Sequence, residues 1–244
     1  MDHKSIAIIP ARGGSKRIPR KNIKEFCGQP IIKYSIDAAF EAGCFDEVMV
    51  STEDNEIAEI AEFCGAKVPF MRSEANSNDY ATIADVIKEV LLEYENLGEY
   101  YAYFCCIYAT APFVSSFRLY EGMELLKQKN ADSVLSVTHY GYPIQRSLKI
   151  ENDRATMLFP EYYSKRSQDL TPIYYDCGQF CCMKSRSLLD QMKFFAEYTV
   201  PIVLPESEVQ DIDNEEDWKI AEIKFKNLLT QQMYKTKHCN HFDL

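Results

Sequence analysis

Ser5-Ile6-Ala7-Ile8-Ile9-Pro10-Ala11-Arg12-Gly13-Gly14-Ser15-Lys16-Arg17-Ile18-Pro19-Arg20-Lys21-Asn22 joins an apolar run to a basic loop that contains two glycines. The run reads as a buried strand, and a buried strand feeding such a loop is how α/β proteins hold phosphates. From His3 to Lys24 the chain carries seven Lys or Arg and no carboxylate, against a formal charge of −10 over 244 residues. Gly13 and Gly14 lack a Cβ, so positive φ is open to them and several N–H groups can turn toward one point. Arg12, Lys16, Arg17, Arg20 and Lys21 add full charges, enough for a triphosphate. A solvated basic turn is the plainer alternative, and the strand before the loop weighs against it. The spacing matches neither the Walker A motif nor G-x-G-x-x-G, so neither an ATPase nor a dinucleotide dehydrogenase is favoured.

Outward from this loop, strands and helices alternate. Strands are predicted at Ser5–Ile9, Glu47–Ser51, Lys67–Phe70, Tyr103–Tyr108, Ser133–Thr138, Cys177–Met183 and Thr199–Leu204. Helices are predicted at Ile31–Ala42, Asn55–Cys64, Ala81–Tyr94, Ser116–Gln128, Ser185–Met192 and Asn214–Leu229, with Gly43 and Gly65 closing the first two. This rhythm implies an α/β fold with a mostly parallel, doubly wound, Rossmann-like sheet covered on both faces. Ligands then belong at the C-terminal ends of the strands. The rhythm breaks between Tyr140 and Tyr175, which is long for a plain loop and is expected to be a lid or an arm against another subunit. The length suits one domain, residues 1–244, with 140–175 inserted.

Composition bounds the rest. No run is long and apolar enough to span a bilayer, and residues 1–10 lack a signal-peptide core, so a cytoplasmic protein with no membrane partner is expected. The net charge argues against nucleic acid as a partner. Nine cysteines without a C-x-x-C are expected to be mostly reduced core residues. The tail Lys237-His238-Cys239-Asn240-His241 is expected to hold no zinc. His139 is expected to be structural, and no Ser-His-Asp or Cys-His arrangement stands out.

The segment from Ile8 to Asn22 resembles the signature of the CMP-sialic acid synthetase family, nucleotidyltransferases acting on acidic nine-carbon sugars. The resemblance extends to Ser51-Thr52-Glu53-Asp54, Arg72-Ser73, Tyr108-Ala109-Thr110-Ala111-Pro112-Phe113 and Gln210-Asp211-Ile212-Asp213. It implies the nucleotidyltransferase type A fold, an extended dimerisation arm and a homodimer. Within the family the spelling is most similar to pseudaminic acid cytidylyltransferases, on Ile107–Phe113 and Asp176-Cys177-Gly178-Gln179-Phe180. Where the sialic acid enzymes have Leu-Gln-Pro-Thr-Ser-Pro and Asn-Gly, this chain has Ile-Tyr-Ala-Thr-Ala-Pro and Cys177-Gly178, so Tyr108 replaces a sugar-contacting glutamine.

The activity so implied is transfer of CMP from CTP to the anomeric hydroxyl of pseudaminic acid, with release of pyrophosphate. The resemblance assigns catalysis to Arg12, Lys21 and Asp211, and Mg²⁺ to Asp211 and Asp213. The competing reading of that aspartate pair is the start of a helix. Ala11, Gly13, Gly14, Ser15 and Asn22 join the nucleotide site, with Arg72, Asn78, Asp79 and Thr82 toward the base. For Asn78 and Asp79, helix capping stands beside base contact. Tyr108, Thr110, Gln145, Tyr175 and Gln179 are the sugar candidates. Arg146, Lys165 and Arg166 are cations for the sugar carboxylate, with a solvated or interface role open for Arg146 and Arg166. The general base is open between Asp211, Asp213 and none. Other readings are CMP activation of N-acetylneuraminic, legionaminic or an eight-carbon ulosonic acid, and a nucleotide-binding regulatory protein. A glycosyltransferase is disfavoured by the position of the basic loop.

Overall fold

Along β1 (Ser5–Pro10), Ala7 and Ile9 face one side of a sheet and Ile6 and Ile8 the other, and all four are fully buried. The computed structural model describes residues 3–239, with side chains as far as Thr230; the tail at His238, Cys239 and His241 lies outside these described side chains. The helices and strands follow as β2 (Glu25–Phe26), β3 (Gln29–Pro30), α1 (Ile31–Ala42), β4 (Glu47–Ser51), α2 (Asn55–Phe63), α3 (Ile83–Asn96), β5 (Tyr103–Ile107), α4 (Ser116–Gln128), β6 (Ser133–His139), β7 (Leu148–Glu151), β8 (Arg154–Met157), β9 (Tyr174–Lys184), α5 (Ser185–Gln191), β10 (Thr199–Val203) and α6 (Glu215–Cys239).

The main sheet has the order β10-β6-β9-β5-β1-β4. β1 pairs parallel with β4 and with β5, β6 pairs parallel with β10, and β9 runs antiparallel between β5 and β6. The sheet is therefore mostly parallel and mixed, as the α/β rhythm implied apart from β9. From β1 the chain crosses to β4 on one side and then to β5 on the other. That reversal of direction opens a crevice beyond the C-terminal end of β1.

Helices cover both faces. Ile36 of α1, Ile57 of α2 and Met123 of α4 share one buried cluster with Ala7, Ile9, Val50 and Ile107. Ile87 and Val90 of α3 and Leu188 of α5 share another with Ile6, Ile8, Met49 and Phe104. α4 approaches the sheet closely at Gly122, where a Cβ would lie 3.0 Å from Cys182 Sγ and 3.1 Å from the Phe180 ring. The eight cysteines among the described residues are free, and five of them are buried in or beside the central strands.

Two local expectations are corrected. Lys67–Phe70 is not a strand: Lys67 makes a single bridge to Met49, and Pro69 has no N–H to continue a ladder. The third helix begins at Ile83 and not at Ala81. Thr82 is its N-cap, in a reciprocal capping box with Asp85. The segment from Tyr140 to Tyr175 contains three short 3₁₀ turns and the β7–β8 hairpin. Asn152 and Asp153, at φ 50° and 60°, turn the hairpin. Its Leu148 and Ile150 are exposed.

Candidate active site

Beyond β1 the chain continues the ladder for one more step, as the Ala11 N–H donates to the Ser51 carbonyl at 2.9 Å. The Ala11 side chain is fully buried in the core and does not reach the crevice. The glycines also behave differently from expectation, since neither Gly13 nor Gly14 has positive φ; the left-handed residue of the loop is Arg20, at φ 55°. Gly13 is required for another reason. A Cβ there would sit 2.5 Å from Asp54 Oδ2, so the loop lies directly on the β4–α2 turn. The Gly13 N–H donates to Glu53 Oε1 at 2.7 Å and is engaged there, not turned toward the crevice. A Cβ on Gly14 would meet nothing within 4 Å.

The basic stretch recruits its counter-charges from distant parts of the chain. Arg12 and Lys16 both reach Asp79 (2.8 and 2.5 Å), and Arg17 reaches Asp213 at 2.7 Å. Arg20 forks onto Asp54 (2.5 and 2.8 Å) and meets Glu56, Lys24 meets Glu215, and Lys4 meets Glu99. Lys21 alone of the seven has no ion-pair partner within 4 Å among the described residues. Its Nζ donates to the Ile212 carbonyl at 2.7 Å, between Asp211 and Asp213. Burial pulls the Lys21 ammonium below the usual lysine range, and those two aspartates oppose the shift. Lys16 and then Arg12 hold the Asp79 carboxyl below its ordinary range.

The C-terminal part of the chain brings the aspartates here through packing. Ile212 is buried with Ile18, Phe26, Phe113, Trp218 and Phe225, which docks the start of α6 against the basic loop. Asp211 and Asp213 therefore flank a buried isoleucine whose carbonyl accepts from Lys21, and neither aspartate lines the cleft that holds Lys21. Burial, then the neighbouring Asp213, raises the Asp211 carboxyl, and Lys21 works against this. The competing reading of the pair as a helix start is met by Asn214, whose Oδ1 accepts the N–H groups of Glu216 and Asp217 (2.8 and 3.0 Å). The two aspartates keep their carboxylates for other partners. Asp211 has no ion-pair partner within 4 Å among the described residues and Asp213 is shared with Arg17, so the two carboxylates are the residues here that could hold a divalent cation such as Mg²⁺. No cluster of three or more His, Cys, Asp or Glu suited to a metal occurs among the described residues.

A cleft of about 550 Å³ lies at the predicted strand ends. Arg12, Ser15, Lys16, Arg17, Lys21 and Asn22 form its basic wall, Arg72, Asn78 and Asp79 another, and Tyr108 and Thr110 a third, beyond β5. Asn22 is buried and pins the Arg12 carbonyl at 2.8 Å. Arg72 is buried as well, donating from Nε to Ser51 Oγ at 3.0 Å and from a terminal nitrogen to the Ser51 carbonyl, and burial lowers its affinity for the proton. Asn78 folds onto its own turn, accepting the N–H groups of Tyr80 and Ala81. Burial raises the Tyr108 phenol far above its ordinary range, so it stays neutral.

Several predicted residues lie elsewhere. The Thr82 hydroxyl caps α3, and Thr82 is not among the residues lining the cleft. Gln145 lies in the arm, donating to the Thr171 carbonyl at 2.9 Å beside a separate cavity of about 230 Å³. Gln179 is buried and donates to the Glu208 carbonyl. Tyr175 stacks on Tyr140, ring centroids 4.7 Å apart, facing an apolar groove over β6, β9 and β10. Arg146 donates to the Lys165 carbonyl and Arg166 pairs with Asp169, all within the arm. Asn76, Ala81, Ile83 and Val86 line the cleft without having been singled out. Ile83 and Val86 share a helical face one turn apart, which in a sequence reads simply as core.

A basic loop at the switch point of a mostly parallel sheet, facing a paired carboxylate, defines an α/β protein of the nucleotide-handling class. A cytidylyltransferase family model matches residues 6–200, and the chain belongs to that family. It is 41% identical over 224 residues to a pseudaminic acid cytidylyltransferase of Campylobacter jejuni subsp. jejuni serotype O:2, covering 91% of this chain and 97% of the relative. It is 30% identical to a CMP-N,N'-diacetyllegionaminic acid synthase of Legionella pneumophila, over 89% of this chain and 94% of the relative. Among solved structures, a CMP:2-keto-3-deoxy-manno-octonic acid synthetase complexed with CTP shares the fold at a TM-score of 0.67 and 16% identity, covering 94% of this chain and 99% of that one.

Proposed function

We propose that this chain transfers CMP from CTP to the anomeric hydroxyl of pseudaminic acid. The observation that carries the proposal is the meeting, in one cleft, of the unpaired Lys21, the Arg12 wall and the Tyr108–Thr110 turn. The first two suit a triphosphate, and the third lies at the end of the neighbouring parallel strand, where a second substrate would approach.

In the proposed reaction the anomeric oxygen attacks the α-phosphorus. A new P–O bond forms as the bond to the β-phosphate bridging oxygen breaks, pyrophosphate leaves with that oxygen, and the hydroxyl proton goes to solvent. Positioning and charge neutralisation dominate such transfers. Arg12 is placed to meet the α-phosphate, exchanging its Asp79 partner for phosphate oxygens. Lys21, already desolvated, would neutralise the leaving pyrophosphate. Asp211 and Asp213 would hold Mg²⁺, which supplies positive charge to the triphosphate when bound. Arg72, rigidly held and partly desolvated, is placed for the pyrimidine. Tyr108, neutral and half-buried, and Thr110 would meet the sugar.

A homodimer in the cytoplasm is part of the same proposal. The β7–β8 hairpin carries exposed Leu148 and Ile150, and an isolated two-stranded hairpin is marginal in water. The face beside Tyr175 exposes Val203 and Phe195, which supports cover by a second copy. Light scattering that gives one chain per particle would overturn the dimer. The activity is tested by incubating the protein with CTP, Mg²⁺ and a panel of pseudaminic, legionaminic, N-acetylneuraminic and eight-carbon ulosonic acids, and measuring pyrophosphate. Release with pseudaminic acid above the others is expected. Preference for another acid reassigns the sugar, and nucleotide binding without release from any acid would support the regulatory reading.

A further inference from the structure

We propose that Glu53 is a positioning residue that ties the basic loop to Arg72, so that two parts of the cleft lining are set by one carboxylate. The inference rests on the reading of the cleft as a CTP site.

Glu53 stands on the turn between β4 and α2, at the C-terminal end of a strand that pairs with β1. Its Oε1 accepts the Gly13 N–H at 2.7 Å, next in the chain to Arg12. Its Oε2 is buried and has no hydrogen-bond partner among the described residues, while Arg72 Nη1 lies 4.0 Å away. Arg72 cannot drift freely, because its backbone N–H donates to Thr52 at 2.9 Å and its guanidinium grips Ser51. An orphaned carboxylate oxygen is costly, and a donor that approaches by about 1 Å satisfies it. The only cation within 4 Å of that oxygen among the described residues is the guanidinium that lines the cleft. The Arg72 side chain is 4% exposed, so its charge is desolvated, and Glu53 is the leading charge that opposes this. A ligand that shifts Arg72 toward Glu53 would thereby tighten the seat of Gly13 and Arg12, and the reverse holds by linkage.

The test is a double-variant cycle on CTP binding, with Glu53→Gln, Arg72→Lys and the pair, measured calorimetrically in the presence of Mg²⁺. Glu53→Gln keeps the size and the oxygen that accepts from Gly13 and removes the charge beside Arg72. It is expected to weaken CTP binding about tenfold, with the KM for the sugar acid within about twofold of the parent. Because Glu53 acts through Arg72, the paired variant is expected to be no weaker than the poorer single variant by more than about twofold. Fully additive losses, or an equal rise in the KM for both substrates, would show a merely structural carboxylate and overturn the proposal. CTP affinity unchanged in Glu53→Gln would do the same. A parent protein that binds no CTP overturns the reading of the cleft itself, which is a different failure. Urea midpoints of all variants confirm that each is folded when measured, and Glu53→Asp, which restores the charge on a shorter stem, is expected to recover part of the CTP affinity.

Discussion

Replacing Asp54 by Asn isolates one charge under the basic loop. The Asp54 carboxylate accepts both terminal nitrogens of Arg20 (2.5 and 2.8 Å) and caps α2 by accepting the Ile57 N–H at 3.0 Å. Arg20, and then the helix N–H groups, pull the carboxyl down from 3.8 to about 2. The native value is the depressed one, so the stabilisation is complete above the ordinary carboxylate value and is lost as pH falls through the native one. At about 1.4 kcal/mol per pH unit the gap corresponds to at most about 2.5 kcal/mol. The Arg20 side chain is 37% exposed, so solvent screening reduces the expected loss to about 1 kcal/mol. Asn keeps an oxygen for the cap, whereas Asp54→Ala loses the cap as well and should cost about 1 kcal/mol more. Urea unfolding at pH 7 and pH 3 measures both. The gap between parent and Asp54→Asn should shrink to about half at pH 3, where the unfolded chain is already mostly protonated. An Asn variant as stable as the parent at pH 7, or a gap that persists unchanged at pH 3, would refute the ion-pair argument.

Lys21→Ala and Arg12→Ala are each expected to lower turnover tenfold or more with unchanged far-ultraviolet circular dichroism, and near-parent kinetics in both would remove the loop from the chemistry. Asp211→Asn is expected to raise the Mg²⁺ concentration needed for half-maximal pyrophosphate release by about tenfold or more, and chelator should abolish release in the parent; a metal dependence unchanged by the substitution would exclude Asp211 as a ligand. Gly122→Ala forces a methyl to within 3.0 Å of Cys182 Sγ, so it should destabilise by about 1–3 kcal/mol in thermal or urea unfolding, and a neutral result would mean that α4 can move off the sheet.

The strands and most helices were legible because their causes are local. Ile31–Ala42, Glu47–Ser51 and Ser116–Gln128 have the bounds expected of them, since periodicity and flanking residues specify them without help from the rest of the chain. Lys67–Phe70 failed because one strand-like tetrapeptide with a proline cannot show whether a neighbour will pair with it. Thr82 was read as a ligand because the two uses of a hydroxyl before a helix, capping and contact, have the same spelling. Gln179 lies in a resembling segment and Gln145 in the irregular stretch 140–175, and only the fold shows their amides holding the Glu208 and Thr171 carbonyls.

By itself the sequence determined that a buried strand delivers a concentration of positive charge, and that strands and helices alternate around it. Both are properties of consecutive residues. Only the tertiary structure decided which of those cations has no ion-pair partner among the described residues. Asp54, Asp79 and the neighbouring Asp213 and Glu215 come from three other parts of the chain to meet Arg12, Lys16, Arg17, Arg20 and Lys24, leaving Lys21 against a carbonyl. The physical reason is that charge compensation depends on distance through space. The burial of Ile212 against Ile18 and Phe113, and not any spacing along the chain, brings Asp211 and Asp213 to Lys21 across 190 or so residues.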